Sequence, residues 1–249
     1  MSDLRKRQYR SRIYEEYVLK MINHDSANYS QQDYQRWADA ARIRLRDWLP
    51  KEPDLPVLDM GCGAGEFLYL LDQLGFTDLT GVDLSQEQIS IAKKLCLRAS
   101  IIQGDVRNIL TQNHSHFGLI TGFDILEHFD KEEVLPFLEA VVSALRPGGL
   151  LILQTPNAES PWFGAVAYGD FTHEWFFTPT SLMHILRLCG LKEFRVRASG
   201  PYVHGIMSLG RVIIWKMLHP IIKLWNIAET GNPGSGIYTR VFLLAAIKA

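Results

Sequence analysis

Short apolar runs alternate along this chain with segments whose apolar residues recur at helical spacing. The runs fall at 55–59, 79–83, 99–103, 117–122 and 150–155, and they read as strands. The helical patterns cover about 65–75, 86–98, 131–145 and 179–189. Such alternation predicts right-handed strand–helix–strand units and a parallel sheet with helices on both faces. Helix punctuation agrees. Ser85 with Gln88 and Asp130 with Glu133 have capping-box spacing, and Thr178-Pro179 opens a helix that Gly190 closes. Arg146-Pro147-Gly148-Gly149 reads as a tight turn into the fifth strand.

Outside that block, 3–22 and 29–49 read as amphipathic helices, the second carrying Trp37, Ala41, Leu45 and Trp48. Two further strands are expected at 192–199 and 238–248. Between them, 205–228 is densely apolar, with Arg211, His219, Lys223 and Asn226 near one helical face. Pro220 is expected to kink or restart that helix. The expected organisation is a helical cap over 1–50, a doubly wound, Rossmann-like α/β domain over 51–200 and 238–249, and an amphipathic helical insertion over 201–237.

Charge is uneven. The net charge is −1, distributed as +3 over 1–50, −8 over 51–200 and +4 over 201–249. An acidic centre argues against nucleic acid as a partner. The basic ends suit an anionic membrane or a phosphorylated substrate, or are simply solvated helix faces. The three cysteines, Cys62, Cys96 and Cys189, lack metal-ligand spacing and are expected to be reduced thiols. No membrane span or secretory signal is expected, which points to the cytoplasm, with peripheral contact at the inner membrane as an extension.

The candidate chemistry lies where the predicted strands end, since ligands of open α/β sheets bind at strand C-termini. Asp59-Met60-Gly61-Cys62-Gly63-Ala64-Gly65 follows the first strand. Asp83 ends the second, some 20 residues past the glycines, where a carboxylate can accept ribose hydroxyls. Gly104-Asp105-Val106 follows the third strand, where a carboxylate can accept from an exocyclic amine. Asp124 to His128 follows the fourth. A dinucleotide fingerprint would place a third glycine at position 66. Glu66 stands there instead and favours a ligand without phosphates.

In these motifs, with Leu145-Arg146-Pro147-Gly148-Gly149 before the fifth strand, residues 56–155 resemble the class I S-adenosylmethionine-dependent methyltransferases. The resemblance implies a seven-stranded sheet with an antiparallel last strand, which 238–248 can supply. It implies S-adenosyl-L-methionine as cofactor, held by Asp59, Gly61, Cys62, Gly63, Gly65, Asp83, Leu84, Gly104, Asp105, Val106 and Asp124. The backbone at 61–65 would contact the methionine part, Asp83 the ribose, and Asp105 with Val106 the adenine. Asp59 would support the loop or the amino group. Each acid also has a purely structural reading, as a loop brace, a helix cap or a turn residue.

Methyl transfer to oxygen requires a base close to the attacking hydroxyl. The candidates are His128, after the fourth strand, and His173, in the loop after the fifth, with Asp170 and Glu174 beside it. Rings at 168, 171, 175 and 176 suit stacking or the core. No metal is required, although Asp124, Asn157 and Asp170 are a conceivable cation set. Tyr168–Glu174 with Phe177–Leu182 looks like bacterial methyltransferases of surface-polysaccharide and lipid-linked glycan synthesis. The core is also similar to the ubiquinone-pathway O-methyltransferases, whose acceptor is a prenylated phenol. The expected reaction is therefore O-methylation of a sugar or other small or lipid-linked hydroxyl in bacterial surface glycan synthesis. O-methylation of a quinone-type phenol, N-methylation of a small molecule and non-catalytic cofactor binding are the alternatives. The helix at 205–228 is expected to be a lid, a homodimer interface or a membrane contact. A nicotinamide-dependent oxidoreductase is disfavoured by Glu66 and Asp105. Nucleic-acid methylation is disfavoured by Asp124-Ile125-Leu126-Glu127, where a Pro-Pro-aromatic motif would stand, and by the absence of a Pro-Cys dipeptide.

Overall fold

A computed structural model describes residues 30–96 and 98–249. The helix expected at 3–22 lies outside the described residues. The elements run α1 (Gln31–Leu45), β1 (Val57–Met60), α2 (Glu66–Gln73), β2 (Leu79–Asp83), α3 (Gln86–Leu95), β3 (Ser100–Gln103), α4 (Val106–Gln112), β4 (Phe117–Phe123), α5 (Lys131–Ala144), β5 (Leu145–Pro156), α6 (Phe163–Ala167), α7 (Pro179–Leu188), β6 (Leu191–Ala198), α8 (Ile206–Thr230) and β7 (Val241–Lys248). The strands form one seven-stranded sheet in the order β3-β2-β1-β4-β5-β7-β6. β1 to β5 are mutually parallel, and β7 runs antiparallel to β5 and β6. The expected doubly wound α/β fold with an antiparallel last strand is the observed one.

Both faces are covered. Val106, Phe137, Leu138, Leu182 and Leu186 from α4, α5 and α7 pack on one face. Ala38, Ala41, Leu45, Phe67, Leu68, Leu71 and Ile89 from α1, α2 and α3 pack on the other. The central strand β1 is buried along its whole length. This two-sided burial is why the strands read as continuous apolar runs rather than as alternation. Asp130 and Glu133 form the reciprocal cap expected at the start of α5, and Thr178 caps α7.

Two local expectations are corrected. Arg146–Gly149 is not a turn preceding β5 but an irregularity inside it. Leu145 already pairs with Phe117, and pairing resumes at Leu150 with Leu119, so four residues arch out opposite Gly118. A left-handed Gly148, φ 72°, permits the arch. Nor does Pro220 restart α8, which runs unbroken through it. The proline removes one amide donor on a solvent-facing turn, where water can satisfy the orphaned carbonyl.

The grouping expected on α8 also divides. Ser208, Val212, Trp215, His219, Ile222 and Asn226 form the stripe that faces the body of the protein. Arg211 and Lys223 lie on opposite flanks of it. The outward arc is apolar, with Ile206, Met207, Ile213, Ile214, Met217, Ile221, Leu224 and Trp225 exposed.

Candidate functional site

The loop from Gly61 to Gly65 joins β1 to α2 with three left-handed glycines, at φ 64°, 53° and 90°. A side chain at any of them would be strained. At Gly65, a Cβ would also stand 2.8 Å from Cys96 Sγ. Four anchors fix the loop. Cys62 N–H donates to the Val82 carbonyl at 3.0 Å. Gly63 N–H donates to Asp83 Oδ2 at 3.0 Å. The Cys96 thiol donates to the Gly65 carbonyl at 3.2 Å. The buried Tyr34 hydroxyl, from α1, donates to the Ala64 carbonyl.

Asp83 is therefore held at the end of β2 by two amides, since its Oδ1 accepts from Ser85 N–H at 2.8 Å. Burial nonetheless raises its pKa above the ordinary aspartate value. Leu84 beside it is exposed. Asp59, at the base of the loop, is almost fully enclosed and accepts from the Thr121 hydroxyl at 2.7 Å. Loss of water drives its pKa to about 7, reinforced by the charges of Glu66 and Asp83. Cys62 and Cys96 are buried thiols with raised pKa values, Cys96 to about 12, and act as packing groups.

At the third position, Asp105 is engaged by its own helix. Asp105 caps α4 by accepting from Arg107 N–H at 2.9 Å, and both its oxygens meet the Arg107 guanidinium, the closest approach being 2.6 Å. Those contacts more than offset burial and hold its pKa low. Its helix-capping reading is what the structure displays. Val106 is buried as the first residue of α4. The Gly104 amide donates to the Asp83 carbonyl at 2.9 Å, so the second and third strand ends meet. Open space lies over this wall, because a Cβ at Gly104 would meet nothing within 4 Å and one at Gly63 nothing nearer than 3.9 Å.

The end of β4 faces the same edge. Asp124 takes a left-handed backbone, φ 53°, unusual outside glycine. Its Oδ2 accepts from Gln154 Nε2 at 2.7 Å. Asp124 keeps exposed surface, yet crowding against the protein raises its pKa, partly offset by the Gln154 hydrogen bond and then by the nearby His173. Ile125 links this turn to the glycine loop, since a Cβ on Gly61 would lie 3.2 Å from its Cδ1. Glu127 is wholly buried and accepts from the Thr155 hydroxyl at 3.2 Å. Burial, with the Asp124 charge nearby, pushes its pKa well above the usual carboxylate value.

The loop after β5 folds back onto this turn. Glu174 and Trp175 donate their amides to the Glu127 carbonyl, at 2.7 and 3.3 Å. The Glu174 side chain is exposed. Asp170 accepts from both the amide and the hydroxyl of Thr172, at 2.8 and 2.7 Å. His128 Nδ1 lies 2.9 Å from that same hydroxyl. Thr172 has one hydroxyl proton, and Asp170 takes it. The network therefore assigns a proton to His128 Nδ1 and the basic lone pair to Nε2. His173 Nδ1 lies 3.1 Å from the Val166 carbonyl, which assigns the same tautomer. The two imidazoles stand 5.1 Å apart, centroid to centroid. One donor atom each from Glu127, His128 and His173 falls within 4.8 Å of the others, a set that could hold a metal ion.

The cation set Asp124, Asn157 and Asp170 is not assembled. Asn157 is buried, with its amide donating to the carbonyls of Ile237 and Thr239 at 2.7 and 3.0 Å. Its oxygen accepts from Glu159 N–H at 3.0 Å. The rings at the loop tip are not core, since Tyr168 and Phe171 are 88% and 75% exposed. Sequence reasoning missed four participants: Tyr34, Thr121, Glu127 and Thr172. Only Glu127 and Thr172, each adjacent to a candidate histidine, left a readable trace.

Residues 29–193 match the family model described as a methyltransferase domain. The chain is 29% identical over 152 residues to a ubiquinone biosynthesis O-methyltransferase of Cereibacter sphaeroides, covering 55% of this chain and 60% of that one. It is 31% identical over 169 residues to a ubiquinone biosynthesis O-methyltransferase of Xanthomonas campestris pv. campestris, covering 61% and 66%. This chain thus spans less than two thirds of the length of these relatives. Among solved structures, a SAM-dependent methyltransferase from Archaeoglobus fulgidus superposes with a TM-score of 0.64 at 20% identity, covering 89% of this chain and all of that one. The phosphoethanolamine N-methyltransferase 2 of Haemonchus contortus, in complex with S-adenosyl-L-methionine, superposes with a TM-score of 0.57 at 18% identity over 85% of this chain and 52% of that one. The family-model match and the glycine–aspartate architecture agree: the chain belongs to the methyltransferase-domain family, among the class I S-adenosylmethionine-dependent methyltransferases.

Proposed function

We propose that this protein transfers a methyl group from S-adenosylmethionine to a hydroxyl of a lipid-linked acceptor. The observation that carries the reading is one continuous edge. A glycine loop and two separated aspartates stand at one end, and two imidazoles with Nε2 lone pairs at the other. Asp83 and the amides of 61–65 would hold the ribose and methionine parts, with Asp59 the counter-charge to the ammonium. Bound there, the donor supplies an electrophilic methyl on a sulfonium sulfur. His128 or His173 accepts the acceptor's hydroxyl proton at Nε2 as its oxygen takes the methyl. Asp170, through Thr172, is a positioning residue that fixes the His128 tautomer.

A lipid-linked acceptor is supported by the O-methyltransferase names of the relatives and by α8. Its apolar arc faces away from the body, with Lys216 and Lys223 on one flank and Arg211 on the other. Cations bordering an apolar arc suit an anionic membrane surface. Among the described residues, no helix is long and apolar enough to cross a membrane. Two acceptor classes satisfy this chemistry: a prenylated phenol and a lipid-linked sugar.

The test is calorimetry with S-adenosylmethionine and its demethylated product, then methyl transfer to a prenylated catechol and to a lipid-linked sugar. His128→Ala and His173→Ala are expected to retain donor affinity, and one of them loses about 100-fold or more in kcat. Tight nicotinamide binding with no heat from either sulfur compound would overturn the donor assignment. Unchanged kcat in both variants would overturn the base. The set Glu127, His128 and His173 supports a second reading, in which a divalent cation orients the acceptor oxygen. Loss of activity on chelation, restored by a metal, selects that reading.

A further inference from the structure

A second cleft opens on the same edge of the sheet, between α8 and the ends of β6 and β7. It encloses about 430 Å³, within the usual range for a small-ligand pocket. Arg44 from α1, Arg211 from α8 and Arg240 before β7 line it, together with His204, and no carboxylate does. Among the described residues these three guanidiniums have no ion pair. The Nε of Arg44 is buried without a hydrogen-bond partner. Two carboxylates on adjoining segments are committed elsewhere. Glu159 binds the amide and hydroxyl of Ser235, and Asp47 binds Arg197. Trp162 and Trp215 supply aromatic wall.

Three arginines without a carboxylate partner line one concavity, and burial lowers the Arg44 pKa from its ordinary value. An arrangement of this kind is relieved by a multiply charged anion, and forked guanidinium donors match phosphate oxygens. The cleft also adjoins the candidate acceptor loop. Asn157 N–H donates to the Arg240 carbonyl at 2.9 Å, and Trp162 belongs to the loop that carries His173.

We infer that this cleft is a phosphate-binding subsite, which holds a phosphate or diphosphate ester borne by the methyl acceptor. Binding rests on the cleft alone, whereas its role in the reaction rests on the methyl-transfer reading above. The subsite distinguishes the two acceptor classes, because a lipid-linked sugar carries phosphate and a prenylated phenol does not. Arg211 sits both on the wall of the cleft and on the flank of the apolar arc of α8. A phosphate held there would leave a hydrocarbon tail beside that arc.

Calorimetry of the full-length protein with sodium pyrophosphate at low salt is expected to show saturable binding. Arg44→Gln, Arg211→Gln and Arg240→Gln should each weaken it about tenfold or more. The distant Lys93→Gln should change it less than about twofold. Arg211 and Arg240 are exposed, so their variants keep the fold, and S-adenosylmethionine affinity within about twofold of wild type verifies this. Absence of saturable pyrophosphate binding, or arginine variants that bind like wild type, would overturn the subsite. Vesicles of phosphatidylcholine with and without phosphatidylglycerol separate the sources. Capture by anionic vesicles that pyrophosphate displaces assigns a lipid phosphate. Pyrophosphate binding without vesicle capture assigns a soluble phosphate ester. If pyrophosphate binds and S-adenosylmethionine does not, the subsite stands and the methyl-transfer reading falls; the converse result spares that reading alone.

Discussion

Replacing Asp59 by Asn should make the protein more stable above neutral pH and hardly change it in acid. Asp59 is enclosed at the foot of the glycine loop, and its pKa rises from 3.8 to about 7 because burial strips water from the carboxylate. A raised pKa means that the folded state favours the protonated form. The stabilising contribution is complete below pH 3.8, where the unfolded chain is also protonated, and is lost as pH rises to about 7. Each pH step across that window is worth up to about 1.36 kcal/mol, so roughly 4 kcal/mol is at stake. Asn has the same shape and still accepts the Thr121 hydroxyl, but it never ionises.

The measurement is urea unfolding of both proteins between pH 4 and pH 8.5. The variant-minus-wild-type difference cancels the other carboxylates, apart from the weak coupling of Asp59 to Glu66 and Asp83. It should be near zero at the acid end and grow to as much as about 4 kcal/mol in favour of Asn above pH 7. A difference that stays flat to within about 0.5 kcal/mol across the range would refute the claim that burial dominates at this carboxylate. The same variant should bind S-adenosylmethionine less tightly if Asp59 is the counter-charge to its ammonium.

Gly65→Ala should lower the melting temperature and abolish donor binding, since φ 90° costs an alanine about 1–2 kcal/mol and its Cβ lies 2.8 Å from Cys96 Sγ. Thr172→Val breaks the Asp170–Thr172–His128 chain and should reduce kcat about tenfold or more with little change in donor affinity, and Thr172→Ser should restore it. Serine rescue together with a shifted pH profile separates positioning from mere packing. Met217→Ser with Trp225→Ser, at positions 66% and 71% exposed, should reduce vesicle co-sedimentation and leave the melting temperature unchanged. A fall in melting temperature would mean that α8 is covered by protein instead.

The fold was legible because both faces of the sheet are buried, so strand and helix periods alternate without interruption from 55 to 155. The donor side was legible for a related reason. A left-handed turn and a carboxylate at a strand end each demand particular residue types at fixed positions, whatever their tertiary neighbours. The engagement of Asp105 was less legible. A capping aspartate and a ligand-binding aspartate look identical in sequence, and only the two-residue offset to Arg107 hinted at its engagement. Tyr34 and Thr121 act on the loop from 30 residues away and across a strand pair, and nothing local encodes such contacts. The arginine cleft is harder still, because its members come from α1, α8 and the approach to β7, which meet only in three dimensions. Charge by segment did foreshadow it, since the two basic ends of the chain supply all three arginines.

The edge of the sheet is divided by charge, and the division suits the proposed reaction. Around the glycine loop and the β4 turn, Asp59, Asp83, Asp124 and Glu127 all have pKa values raised by burial. Carboxylates crowded in this way lack a cation. A sulfonium donor with an ammonium group provides positive charge, and its product, a neutral thioether, provides less. On the proposed reading, such a wall would favour donor over product and ease product release. Across the loop 157–177, Arg44, Arg211 and Arg240 create the opposite deficit. On the proposed reading, a cationic donor and an anionic acceptor would be drawn to separate ends of one edge, with the histidines between them, and neither would be well placed to occupy the other's site. Since the two ends are separate binding problems, raising ionic strength should weaken acceptor binding far more steeply than donor affinity, Arg211 and Arg240 being open to screening and Asp59 and Glu127 enclosed. Equal salt sensitivity at both ends would mean that the charge division does not sort the substrates.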